Sequence, residues 1–136
     1  MPYHDLKGHR EIRQALAIPI ATGETEYTRY GMKSIIEAAA ADILMPDLQR
    51  IGGPTEFRRA GALAAAHDIP VSTHIFTEHS LSVAASLPNC ISVEHMPWSA
   101  PILNEEMELL EGEILEPERP GTGFTFDRKA DERFRL

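Results

Sequence analysis

A unit that recurs along the chain constrains its fold more than any other feature: a short apolar run, a polar residue at its end, then a helix-like stretch rich in Ala and charge. The runs are Ile18-Pro19-Ile20-Ala21, Asp42-Ile43-Leu44-Met45, Ile69-Pro70-Val71-Ser72 and Ile91-Ser92-Val93, with starts about 21 to 27 residues apart. That interval is the length of a strand, a loop and a crossover helix. The interposed stretches fit helices over residues 10–16, 27–40, 55–67 and 78–87; in the third, Phe57, Ala60, Gly61, Leu63 and Ala64 form an apolar face. Apolar strands that each lead into a helix indicate a parallel sheet covered by helices. Doubly wound sheets and TIM-like barrels both satisfy that grammar. No Gly-x-Gly-x-x-Gly follows any candidate strand, which weighs against a dinucleotide-binding sheet. From Pro97 onward the grammar changes to acidic runs and the turn signals Pro117 and Pro120-Gly121-Thr122-Gly123. The expected organisation is an α/β fold of parallel (β/α) repeats over residues 1–100 and an extension over 101–136, with a short strand at 123–126.

A chain of 136 residues suffices for one compact domain. Its 21 acidic and 13 basic residues leave a formal charge of -8, so neither nucleic acid nor an anionic membrane is an expected partner. Cys90 is the one cysteine, which excludes an internal disulfide and a Cys-rich zinc site. No apolar stretch approaches the roughly 18 residues of a membrane span, and the N-terminus has no signal-peptide pattern, so a cytoplasmic protein is expected.

Each strand ends on an ionisable residue: Glu24, Asp47, His74 and Glu94 in turn. In parallel α/β folds that edge binds ligands, because the loops after the strands converge there. Singly, each has a plain structural explanation. Glu24 suits a solvated loop, Asp47 a turn cap before Gly52-Gly53, His74 a satisfied half-buried histidine, and Glu94 a surface pair with His95. Four at equivalent positions of a repeat point to one site. Such a set suits proton abstraction next to a carboxylate. The histidine serves as general base and an aspartate orients it. A glutamate on Mg²⁺ stabilises an enediolate, and a second glutamate hydrogen-bonds to the substrate's carboxylate oxygen.

The strings Ile-Pro-Ile-Ala-Thr-Gly-Glu24, Met-Pro-Asp47-Leu-Gln-Arg-Ile-Gly-Gly-Pro-Thr, Ser-Thr-His74-Ile-Phe and Val-Glu94-His resemble the C-terminal barrel half of the enolase superfamily, in its mandelate racemase-like subgroup. The ending, Pro101-Ile-Leu-Asn-Glu-Glu-Met and then Pro120-Gly-Thr-Gly-Phe, is similar to that of galactarate- and talarate-type acid-sugar dehydratases. The resemblance implies the C-terminal half of a TIM-like barrel and a Mg²⁺-dependent dehydratase acting on a sugar acid. It implies His74 as general base, Asp47 as its hydrogen-bonded partner, Glu94 as the contact to the substrate carboxylate, and Glu24 as one of three carboxylate ligands of Mg²⁺. A racemase or epimerase of the same subgroup is the alternative, as is a non-catalytic half-barrel that acts by associating with other chains.

The departures from that pattern are specific. Full-length members carry a capping domain, a Lys-x-Lys pair and two further metal carboxylates; here Lys7, Lys33 and Lys129 are the only lysines and form no such pair. The resemblance therefore implies a homo-oligomer or a missing N-terminal half as partner. Among the lesser features, Gly52-Gly53-Pro54 is expected to form a tight loop and Cys90 a small buried apolar contact. Trp98 is expected at the barrel mouth, and the glutamates of 105–118 on a solvated surface.

Overall fold

A computed structural model describes residues 1–135; Leu136, the last residue of the expected extension, lies outside the described residues. The barrel-like part is built from α1 (Leu6–Ala15), β1 (Ala21–Thr22), α2 (Thr28–Glu37), β2 (Ile43–Leu44), α3 (Leu48–Ile51), α4 (Pro54–Ala65), β3 (Val71–Ser72), α5 (Thr77–Ala85) and β4 (Cys90–Ser92). The four strands form one sheet in the order β1-β2-β3-β4, every pairing parallel. Each strand lies beside the next in sequence, as barrel strands do, with none of the order reversal of a doubly wound sheet.

Local chemistry explains the boundaries. Asp5 caps α1 by accepting from the Gly8 amide at 2.9 Å, so that helix begins four residues before the expected start at residue 10. β1 begins three residues after its expected start at 18. Pro19 has no N–H to give a ladder, and the Ile20 amide is taken at 2.9 Å by the Asp42 carboxylate. The other Asp42 oxygen accepts from Arg13 Nε at 2.6 Å, which ties α1 to the start of β2.

Helix α2 stops before the expected residue 40 because Ala39 turns left-handed at φ 51°. The Ala40 and Ala39 amides then close on the Ile35 and Ile36 carbonyls, a Schellman ending that usually carries glycine. Ala39→Gly is expected to raise stability by about 1 kcal/mol, read as a higher urea midpoint at unchanged slope.

The core lies between the sheet and its helices. Met32 and Ile35 of α2, Ile51 of α3, and Phe57, Ala60 and Ala64 of α4 pack on Leu44 and Val71 from the two central strands. Packing of this kind, rather than helix propensity, holds short helices in place. The Ile20 amide, followed by the Arg13 guanidinium, holds the Asp42 carboxyl below the usual aspartate range. A lowered carboxyl stabilises the fold above its unfolded value, about 3.9, and that contribution is lost as pH falls through the folded value. Asp42→Asn is therefore expected to flatten part of the decline in urea midpoint below about pH 4.

The extension departs from the expected pattern. Residues 123–126 form no strand; Phe126 makes one antiparallel bridge to Leu103. The regular pairing lies instead in a hairpin of β5 (Leu109–Leu110) and β6 (Glu113–Ile114), turned at Glu111 and Gly112 with φ 52° and 88°, the left-handed pair that suits a two-residue hairpin. Glu105 is structural rather than solvated: it accepts from the Thr125 amide at 2.6 Å and pairs with Arg119 at 2.7 Å. Helix α6 (Arg128–Phe134) packs back on the 3-10 turn Ala100–Ile102. No helix among the described residues is long and apolar enough to cross a membrane.

Candidate active site

The parallel order places all four expected residues on one edge, two or three positions beyond the ends of their strands. His74 and Asp47 meet directly: His74 Nδ1 lies 2.9 Å from Asp47 Oδ2. The other Asp47 oxygen caps α3, accepting from the Gln49 amide at 2.8 Å and the Arg50 amide at 3.0 Å. One residue thus caps a helix and orients a histidine. From the sequence, a cap alone accounts for Asp47; in the structure the residue makes both contacts. The His74 amide also donates to the Pro46 carbonyl at 3.3 Å, which ties the end of β3 to the end of β2.

Burial separates the two partners. Asp47 is 1% exposed and the His74 side chain 21%. A carboxylate accepts and does not donate, so Nδ1 carries the proton shared with Asp47. Nε2 has no hydrogen bond to any described residue. The contact fixes the orientation of the ring, with Nδ1 toward Asp47.

Glu94 is held by the loop that follows His74. Its carboxylate accepts from the Ile75 amide at 2.9 Å, its amide donates to Thr73 Oγ1 at 3.1 Å, and its carbonyl accepts from Thr77 Oγ1 at 2.5 Å. Both threonines are fully buried. The loop is strained, with Ile75 at φ 32° and Phe76 at φ 45°. Such a left-handed conformation costs a non-glycine residue on the order of 1–3 kcal/mol, and a β-branched side chain is a genuine outlier there. The turn aims the Ile75 N–H at Glu94 and starts α5 directly afterwards. Thr73, Thr77 and the Ile75 amide escape a sequence reading. Threonines on either side of a histidine are common, and a positive φ at isoleucine has no local signature.

Glu24 shares the edge without joining the cluster. Its carboxylate accepts from the Gly23 amide at 3.1 Å and bonds to none of the other three residues. Gly23 stands at φ 128°, and a Cβ there would meet the Met32 side chain at 3.2 Å, so the close packing over α2 favours glycine. A hard cation such as Mg²⁺ needs several oxygen ligands in octahedral array. No group of three or more His, Cys, Asp or Glu side chains that could hold a metal occurs among the described residues. These residues alone do not make a Mg²⁺ site.

The surroundings are open. A concavity of about 660 Å³ lies between α4 and the loop of residues 86–89 that leads into β4, lined by Pro54, Arg58, Leu87 and Asn89 among others, and holds none of the four residues. The Gly52-Gly53 loop is tight, with both glycines at positive φ. Trp98 is exposed, and Cys90 is half-buried, with burial pushing its thiol pKa up.

Residues 1–130 match the family model for the enolase C-terminal domain-like proteins. The chain belongs to that family. Among curated relatives of the family, D-xylonate dehydratase of Haloferax volcanii is 36% identical over 95% of this chain and 33% of its own length. L-talarate/galactarate dehydratase of Salmonella typhimurium is 35% identical over 93% of this chain and 32% of its own length. A solved structure, L-talarate dehydratase of Polaromonas complexed with Mg and L-glucarate, superposes at a TM-score of 0.91 with 34% identity, covering 100% of this chain and 38% of that one. The chain thus spans about a third of the length of the curated relatives it matches. Within the enolase C-terminal domain-like fold its parallel sheet and helices form the C-terminal half of the TIM-like barrel.

Proposed function

We propose that this chain supplies the base-bearing side of a Mg²⁺-dependent acid-sugar dehydratase. The observation that carries the reading is the 2.9 Å contact between His74 Nδ1 and the buried Asp47, with Nε2 left free on the ligand-binding edge. In this reading His74 Nε2 takes the α-proton of a sugar carboxylate. The same nitrogen then returns a proton to the departing β-hydroxyl, so water leaves and the enol becomes a 2-keto-3-deoxy acid. Asp47 holds the tautomer and steadies the imidazolium. Glu94, fixed by Thr73, Thr77 and Ile75, hydrogen-bonds to the substrate carboxylate as it gains charge.

Mg²⁺, which the Polaromonas relative holds together with L-glucarate, would supply Lewis-acid stabilisation of that charge. Glu24 gives it one ligand, and the others come from outside these residues. Residues 1–100 would carry the chemistry and residues 101–136 an extension around it, in a cytoplasmic enzyme of sugar-acid metabolism. The kinship with named dehydratases favours dehydration over racemisation or epimerisation. The single metal-ligand candidate and the open surroundings favour the other alternative, a half-barrel that only associates with other chains.

The test adds the chain to the upstream remainder of the Salmonella talarate/galactarate dehydratase, expressed as a separate polypeptide, with Mg²⁺ and a panel of sugar acids. Semicarbazone formation reports a 2-keto product. Turnover that needs both pieces supports the dehydratase. Exchange of the α-proton with solvent and no keto acid would indicate the racemase. Stable association without either reaction would indicate the non-catalytic module.

A further inference from the structure

The segment from Thr73 to Thr77 grips Glu94 at three points: the Glu94 amide donates to Thr73 Oγ1 at 3.1 Å, the Ile75 amide donates to Glu94 Oε2 at 2.9 Å, and Thr77 Oγ1 donates to the Glu94 carbonyl at 2.5 Å. The other side-chain oxygen, Oε1, has no hydrogen bond to any described residue. Thr73 and Thr77 are 0% exposed, so neither can touch a ligand on the open edge. Thr77 also opens α5, directly after the left-handed Ile75 and Phe76. A strained turn of this kind persists only where its surroundings over-determine it. Relaxing the pair to ordinary negative φ would redirect the chain and part the Ile75 N–H or the Thr77 hydroxyl from Glu94.

We propose that Thr77 is the positioning residue that locks this turn and so decides which Glu94 oxygen meets the substrate. The proposal rests on the dehydratase reading. An N–H donates only, so Oε2 is committed as its acceptor. A substrate carboxylate also accepts only, so a hydrogen bond between the two carboxyl groups needs one proton between them. Oε1 is the oxygen left to share it. The Thr77 hydroxyl pins the Glu94 backbone to the start of α5, while Ile75, in the same turn, pins the side chain. Loosening one contact loosens the other. His74 belongs to this segment too, and its amide is tied to the Pro46 carbonyl at 3.3 Å. The base and the group that meets the developing charge are thus set at a fixed spacing by one turn. Valine shares the shape of Thr77 and lacks only its donor.

The first measurement is amide hydrogen exchange by NMR on the full chain. Exchange at Ile75 is expected to be slow and to speed up about tenfold in Thr77→Val, with the amides of the sheet unchanged. Thr77→Ser, which keeps the hydroxyl, should restore the slow rate. Glu94→Gln should also keep Ile75 protected, because the amide oxygen takes the place of Oε2, whereas Glu94→Ala should not. The second measurement uses the complex with the upstream remainder described above. Per folded molecule, Thr77→Val is expected to lower kcat about tenfold with KM within about twofold, the mark of a contact that counts in the transition state. Thr77→Ser should recover the rate, and Thr77→Ala should repeat the loss, so the test stands if the valine variant does not fold. Unchanged Ile75 exchange in the variants without the hydroxyl, native kcat in them, a raised KM at native kcat, or a loss that serine does not restore would overturn the proposal. No turnover in the unmodified complex would overturn the dehydratase reading and with it the role of Oε1, while the exchange result still decides whether Thr77 holds Glu94.

Discussion

His74→Asn is expected to lower turnover of the reconstituted dehydratase by about 10²–10⁴-fold, the usual share of a positioned general base. The substitution is mild for the fold. His74 is partly exposed, and an asparagine amide can still donate to Asp47 Oδ2 where the imidazole now does, at 2.9 Å. What asparagine lacks is a basic nitrogen on the open side. Two measurements check this: the rate of semicarbazone formation, and exchange of the substrate's α-proton in D₂O. Loss of both locates the defect at proton abstraction. If exchange continues at the original rate, another group is the base and the assignment of His74 is wrong.

The second large effect concerns Asp47, where alanine and asparagine should separate its two tasks. Asp47→Ala removes the cap of α3, a loss of about 0.5–2 kcal/mol. It also leaves the Gln49 and Arg50 amides and His74 Nδ1 without their acceptor at a position only 1% exposed, which adds about 1–3 kcal/mol for buried donors left unmade. A total near 3 kcal/mol is expected, read as a fall in the urea midpoint. Asp47→Asn keeps an oxygen for the cap and should cost about 1 kcal/mol or less. Its NH₂, however, faces His74 Nδ1 and forces that nitrogen to accept, which moves the ring proton to Nε2. The base is then blocked by its own proton, and turnover should fall by about 10³–10⁴-fold with near-native stability. Native turnover in Asp47→Asn would show that the contact only supports the loop.

The parts of this architecture written in local patterns were legible in advance. The apolar runs located the four strands to within a few residues, and the ionisable residue one to three positions after each run marked the edge where His74 and Asp47 meet. What stayed hidden depends on contacts between segments or on unusual backbone. Asp47 was legible as a cap or as a partner of His74, but that its two oxygens divide these tasks depends on β3 lying beside β2. The left-handed pair Ile75-Phe76 contradicts the preference of its own residues and is held by the buried threonines and by Glu94. In the extension, Leu109, Leu110 and Ile114 are sparse among glutamates, so the hairpin read as solvated charge. The run Gly123-Phe124-Thr125-Phe126 read as a short strand, yet within it only Phe126 forms a β-bridge, to Leu103.

The order of the strands also bears on how the molecule is made. Each strand pairs with the next one to be synthesised: Ala21 with Ile43, Leu44 with Val71, and Val71 with Cys90. No contact in the sheet waits for a distant segment, so the loop-closure entropy of each step is small. Low contact order of this kind speeds folding relative to sheets that join remote strands. On the ribosome, each βα unit can dock on its predecessor as it emerges. The helical face is then covered while the rest of the chain is still being added, which shortens the exposure of apolar strands to misfolding and aggregation.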